Sequence, residues 1–298
     1  MTVLLGMAAL VLDVGSWYRA DRATQTTADA AALAAAQALP DDPAYAVDLA
    51  VEYGDKNGGS VEAADVSFSS KWVPNDTVRV HVARPAPGFF AKLFGVDSVT
   101  VGSRASARAG TPSQALWVAP IVVNEKHPML QNCKPDVCDD STELDYYNLK
   151  EGGKKDDEGL QNDGAGSFGF INLDTSGGPN PGTSELGRQI REGYDKYMPL
   201  GDYAARTGNP FSSSNVGGEL ENKIGEELLF PIYRKLTGTG SNAKYEIIGW
   251  VGFRLSGLDL TGNKEKLFGT FTRVIWQGIQ GSPGSSVSPG VRVVQLVD

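Results

Sequence analysis

The chain has 298 residues, 41% of them hydrophobic and 21% charged, enough to bury one large core or two modest ones, which excludes global disorder. A net charge of -9 leaves no basic face of the kind that neutralises phosphates, so nucleic acid is not an expected partner. Glycine (36) and proline (16) concentrate beyond residue 85, a pattern of short strands joined by turns.

The first forty residues have three zones. Residues 1–12 are apolar apart from Thr2, residues 19–29 are polar, and alanine then fills eight of the eleven positions 28–38. No proline occurs before Pro40, which lacks an N–H and clashes one turn back. This predicts a helix over 1–39, a rod of ~58 Å. The apolar zone is shorter than the roughly 20 residues of a membrane span, and it lacks the basic start of a cleavable signal peptide. A truncated anchor or a buried core helix would account for it. So would a helix that sits in a membrane first and in a bundle later. Alanine has the best helix propensity, and small side chains let backbones approach closely. The alanine run therefore suits a helix lying among copies of itself, or one lying on a sheet. Asp13 interrupts the apolar zone, and a carboxylate in apolar surroundings is costly unless paired. Arg19 and Arg22 are six and nine residues away, not the three or four that place side chains together on one helix. The expectation is a positive group from another subunit, an Arg19 or Arg22 side chain or an N-terminal amine; a solvated Asp13 is the alternative.

The stretch "GMAALVLDVGSWYRADRATQTTADAAALAAAQAL" resembles the N-terminal segment of the TadE/TadG-like proteins of Flp (tight-adherence) pilus systems. The shared pattern is an apolar run, Asp13, Val14 and Gly15, the aromatics Trp17 and Tyr18, Arg19, Gln25, and the alanines of 28–36. It continues more loosely through "ARPAPGFFAKLFGVDSVTVGSRASARAG", to about residue 110. The resemblance implies a secreted or membrane-anchored, pilin-like protein with a long N-terminal helix. The apolar run before Asp13 is shorter than the family's, so Met1 is expected to follow a removed leader. Type IV pilins tend to carry Glu at the fifth mature position, where this sequence has Leu5. Asp13 then becomes the candidate for charge pairing. The expected assembly helix comprises Leu4, Leu5, Ala8, Leu12, Asp13, Gly15, Trp17, Arg19, Ala28, Ala31 and Ala35.

Beyond it, "DDPAYAVDLAVEYGDKNGG" has helical spacing at Tyr45, Leu49 and Tyr53, closed by glycines. "VEAADVSFSS", "DTVRVHVARP" and "SVTVGSRASARAG" alternate as half-buried strands do, and "FFAKLFG" is a short helix or turn between two of them. The rest reads as strands, in "ALWVAPIVV", "GSFGFINL", "ELLFPIYRK", "YEIIGWVGFRLSGLDL", "KLFGTFTRVIWQG" and "VRVVQLV". One helix, "TSELGRQIREGY", has Ser184 as candidate cap. The second half also resembles the C-terminal extension of some actinobacterial TadG-like proteins. The predicted fold class is α+β, with an assembly or membrane helix (1–39), a small pilin-like α+β head (40–112) and a β-rich extracellular domain (113–298).

Few residues point to chemistry. Cys133 and Cys138 lie in a polar loop and read as a local disulfide, stabilising by about 2 kcal/mol, or as half of a metal site that has no second Cys or His pair in motif spacing. The disulfide implies an oxidising, extracytoplasmic compartment. "GAGSFG" (164–169) matches a dinucleotide fingerprint, but follows an acidic loop and enters a strand. His81 and His127, the only histidines, have no nucleophile elbow near them. The acidic runs in 136–145 and 154–164 could hold calcium but lack the EF-hand spacing, and read as solvated loops. Asn75 begins a sequon. Trp250, Phe253, Phe268, Phe271 and Trp276 read as core. The expected protein is therefore a structural, pilin-like subunit of an extracellular filament, not an enzyme, with no cofactor or metal. Its expected partners are further copies of itself, the inner membrane before assembly, and the pilus assembly machinery. The alternatives are a membrane-anchored accessory protein of pilus assembly and a secreted binding module or enzyme with an N-terminal anchor.

Overall fold

The computed structural model describes residues 2–132, 142–146, 167–174, 182–212, 214–238, 240–261, 265–282, 284, 286–287 and 289–297. The disulfide expected between Cys133 and Cys138, the run 154–164 and most of the run 136–145 lie outside the described residues. The chain forms two compact units, Met1–Gly110 with Val294–Asp298, and Thr111–Val293.

The first unit opens with α1, Thr2–Ala36. It ends three residues short of the predicted 39. Pro40 donates no N–H and crowds the carbonyl four residues back, so the chain tightens into three-residue turns. Gln37, Ala38 and Leu39 donate to the carbonyls of Ala34, Ala35 and Ala36 at 3.1–3.2 Å. Asp42 then caps α2, Pro43–Lys56, accepting from the Tyr45 amide at 2.9 Å, with Pro43 in the first turn. Three strands follow, β1 (Val66–Ser69), β2 (Thr77–Pro87) and β3 (Ser98–Gly110). β2 pairs antiparallel with both β1 and β3.

The alanines of α1 are the floor of this unit. Ala28, Ala31, Ala32, Ala35 and Ala36 are buried in one cluster with Ala46 and Ala50 of α2, Val78, Val80 and Val82 of β2, and Ala105, Ala107 and Ala109 of β3. This corrects the expectation that Ala28, Ala31 and Ala35 meet other copies, because their own sheet and second helix already cover them. The contact is close because both sides are small. The helix expected from Tyr45, Leu49 and Tyr53 forms as α2, with Tyr45 and Tyr53 exposed while Ala46, Ala50 and Gly54 face inward. A tyrosine ring would hold the helices apart. At Gly54 even a methyl group would lie 2.4 Å from a Val61 methyl.

The second unit contains β4 (Pro112–Ala115), β5 (Ile121–Asn124), α3 (Pro128–Asn132), β6 (Thr142–Tyr146), β7 (Ser167–Phe170), α4 (Thr183–Glu192), β8 (Met198–Pro199), β9 (Gly201–Ala204), α5 (Ser214–Asn222), β10 (Glu227–Thr237), β11 (Lys244–Asp259), β12 (Lys266–Thr272), β13 (Val274–Ile275) and β14 (Gly278–Gln280). The last strand, β15 (Val291–Val297), begins here and ends in the first unit. Its main sheet runs β10-β5-β7-β6-β12-β11-β9, and β10 also pairs with β11, so six strands close into a ring. Closure removes exposed edges. Phe168, Phe170, Phe230, Phe253 and Phe271 share one buried cluster with Leu186 and Ile190 of α4 and Val216 and Leu220 of α5. Tyr203, Tyr233, Tyr245 and Trp250 belong to another. Of the aromatics expected in the core, Trp250, Phe253 and Phe271 are buried, and Phe268 and Trp276 are half-buried. α5 has no counterpart among the sequence expectations, since Gly217 and Gly218 depress its propensity. α4 is capped by Gly182 rather than by Ser184, which sits inside the helix.

Candidate functional site

The front of α1 differs from its rear. Met7, Leu10, Val11, Leu12 and Val14 are all more than half exposed, and the charged positions of the helix begin at Asp13. Leu4, Leu5 and Ala8 belong to this stretch of α1, but their side chains lie outside what the structure describes. Among the described residues, no helix is long and apolar enough to cross a membrane.

Asp13 marks where the helix meets its own head. It is 3% exposed. Its Oδ1 accepts from the amides of Phe89 at 2.7 Å and Phe90 at 3.2 Å, and its Oδ2 from those of Phe90 at 3.1 Å and Ala91 at 2.6 Å. These amides open the 3-10 turn Ala91–Phe94 in the β2–β3 connection. The first N–H groups of a helical turn have no partner within it, so they donate readily to a carboxylate. The expected cation is therefore not needed to satisfy Asp13, because backbone donors of its own chain meet the carboxylate. One turn on, the Trp17 Nε1 donates to the Pro87 carbonyl at 3.2 Å. Further along, the Thr24 and Ser103 hydroxyls share a buried hydrogen bond of 2.8 Å. Arg19 is exposed. Arg22 donates from Nε to the Tyr18 hydroxyl at 3.0 Å. Sequence reasoning missed the partner because 76 residues separate Asp13 from Phe89. The available signal was the tight turn in "PGFFAKLFG", whose leading amides had to find an acceptor.

The latch leaves an apolar groove. Leu10 and Leu12 of α1 face Phe90, Leu93, Phe94 and Val96 of the connection across about 700 Å³. Leu93 and Phe94 are at least 80% exposed. Gly95 turns the chain back with φ 81°, a conformation that costs glycine least. Gly15 is exposed, and apart from its chain neighbours and its own helix backbone no described atom lies within 4 Å of where its Cβ would stand. A mid-helix glycine costs ~0.5–1 kcal/mol relative to alanine, and no contact among the described residues explains its presence.

The other candidates fall elsewhere. His127 is buried, accepts from the Met129 amide at Nδ1 and packs edge-on to Phe271 at 5.2 Å; burial pushes its pKa down. His81 lies on β2, with Nδ1 3.9 Å from Asp65. Ser167–Gly169 of "GAGSFG" belong to β7 and lead into Phe170 of the same strand. A methyl group on Gly169 would lie 2.3 Å from the Tyr245 hydroxyl, so the glycine serves packing. Among the described residues no three metal-ligating side chains gather.

No curated protein and no solved structure matches the chain. The looser resemblance from residue 39 to about 110, and that of the second half, lie outside the residues matched by the family profile. The stretch that carries Asp13, the exposed apolar front and the alanine run is similar to a known family: residues 1–38 match the profile of the family described as putative Flp pilus-assembly TadE/G-like.

Proposed function

We propose that the chain is a structural, pilin-like subunit of an extracellular Flp/Tad-type filament, inserted in the inner membrane before assembly and joined to other copies through the front of α1. The reading includes no catalytic step. The observation that carries it is the bare apolar front of α1, in a segment similar to a pilus-assembly family. Its burial against other copies would gain ~25 cal/mol per Å2 of apolar surface removed from water. Gly15 supports the same reading, since it would let a neighbouring helix approach closely. The assembly residues of this proposal are thus Leu4, Leu5, Ala8, Leu12, Gly15 and their neighbours, without the alanine run.

The self-sufficiency of Asp13 favours a second reading, a membrane-anchored accessory protein of pilus assembly. If no neighbouring cation is required, α1 can serve as an anchor for a lone chain. Negative-stain microscopy of filaments sheared from cells, decorated with an antibody to this chain, separates the two. Label along the filament is expected for a subunit. Label absent from filaments, with the chain kept in the membrane fraction, overturns that reading in favour of the accessory protein.

A further inference from the structure

The β2–β3 connection does something unusual for a soluble head. It carries Phe89, Leu93 and Phe94, all well over half exposed, out beside the exposed apolar stretch of α1. We infer that residues 89–96 form a second lipid-inserting element, held beside α1 by Asp13, so that the chain enters a bilayer as a helix and a blade together. The inference rests on the membrane-inserted form in the proposed function, and adds to it a part of the head that no helix-only anchor would use.

Three observations favour lipid over a protein partner. Leu10, Val11 and Leu12 are consecutive and each more than half exposed. Three consecutive residues 100° apart span an arc of about 200°, with the buried Asp13 on the remaining side. One docked helix would cover a narrower stripe, whereas an apolar medium reaches the whole arc. The charges are also partitioned. Residues 2–12 carry none, the Asp13 carboxylate is enclosed by three amides, and the exposed ions Arg19, Asp21 and Arg22 follow the aromatics Trp17 and Tyr18. That order, apolar then aromatic then charged, is the order across a membrane interface. Lastly, Leu93 and Phe94 share one groove with Ala9, Leu10 and Leu12 of the uncharged stretch, and with Asp13 and Trp17 that follow it. Lys92 pairs with Asp97 at 3.7 Å, and its long stem lets the ammonium reach the headgroups.

The test uses the full chain with vesicles of phosphatidylethanolamine and phosphatidylglycerol. The photo-crosslinking residue p-benzoylphenylalanine replaces Phe94, Val11 or, as a control, the exposed Tyr45. Mass spectrometry reads the adducts after illumination. Lipid adducts at 94 and 11 and none at 45 are expected. Adducts at 11 without any at 94 overturn the blade and leave the membrane-inserted helix standing. A crosslink from 94 to a second copy overturns it in favour of a protein contact. Absence of lipid adducts at both 94 and 11 overturns the blade and the membrane-inserted form together.

Discussion

Two buried aspartates in the first unit act by the same physics, and each is testable singly. Asp13 gathers three amides of a distant turn. In the Asp13→Asn protein one amide oxygen must replace a charged pair of acceptors. The Phe89, Phe90 and Ala91 amide protons are then expected to exchange on the order of tenfold faster. Unchanged exchange in a hydrogen-exchange measurement would mean the latch does not hold the connection. Asp76 gathers the amides of Lys71, Trp72 and Val73 at 2.7–3.1 Å and the Thr77 hydroxyl at 2.7 Å. Burial pushes its pKa up, but these donors outweigh it and hold the carboxyl below its usual value. A lowered folded-state pKa contributes stability above the unfolded value of about 3.9, lost as pH falls through it toward the folded value. The urea midpoint should therefore fall between pH ~4 and the folded pKa, and the Asp76→Asn chain should lose part of that dependence. Gly15 has the opposite sign. Gly15→Ala should raise the stability of the single chain by ~0.5–1 kcal/mol in chemical denaturation, while weakening filament formation if a neighbouring helix sits there.

At the level of elements, α1 has two halves with different dependences. Ala31 is fully buried between its own sheet and α2, whereas Val11 is 69% exposed. Ala31→Trp is expected to destabilise the first unit itself by ~1–3 kcal/mol or more, because a packed alanine contact cannot admit an indole. Val11→Asp should leave the unfolding midpoint of the single chain within error and abolish assembly. The pair is read by denaturation and by microscopy of the same preparations. Equal loss of stability in both would show that the front half is also part of the fold. The logic of α2 is the same. Its tyrosines follow helical spacing, but the helix turns its smallest side chains inward because the facing surface is alanine.

For the molecule as a whole, the two units hold their cores by different means. The first relies on close approach of small side chains, and the second on large aromatics inside a ring of strands. Gly169→Ala probes the second alone. The added methyl meets the buried Tyr245, so a loss of ~1–3 kcal/mol is expected. The accelerated amide exchange should fall within Thr111–Val293. Exchange accelerated equally in Met1–Gly110 would show that the units unfold as one.

Much of this was legible in the sequence because it is local. The alanine run made a helix, alternation in "DTVRVHVARP" and "SVTVGSRASARAG" made a hairpin, and the family resemblance lay in one continuous stretch. Capping was less so. Asp42 before Pro43 follows the rule, but α4 begins one residue after Gly182 and leaves Ser184 uncapping, since a hydroxyl three residues from the right amide is only one of several ways to start a helix. What the sequence did not reveal is which surface each element faces. An alanine helix can nest against its own sheet or a copy with equal ease, because small size favours every close contact alike. A carboxylate is satisfied by any donor, near or far in the chain. Only the tertiary structure brought the Phe89 amide to Asp13, covered Ala28, Ala31 and Ala35, and left Leu10, Val11, Leu93 and Phe94 bare, because burial is decided by what the rest of the chain places alongside.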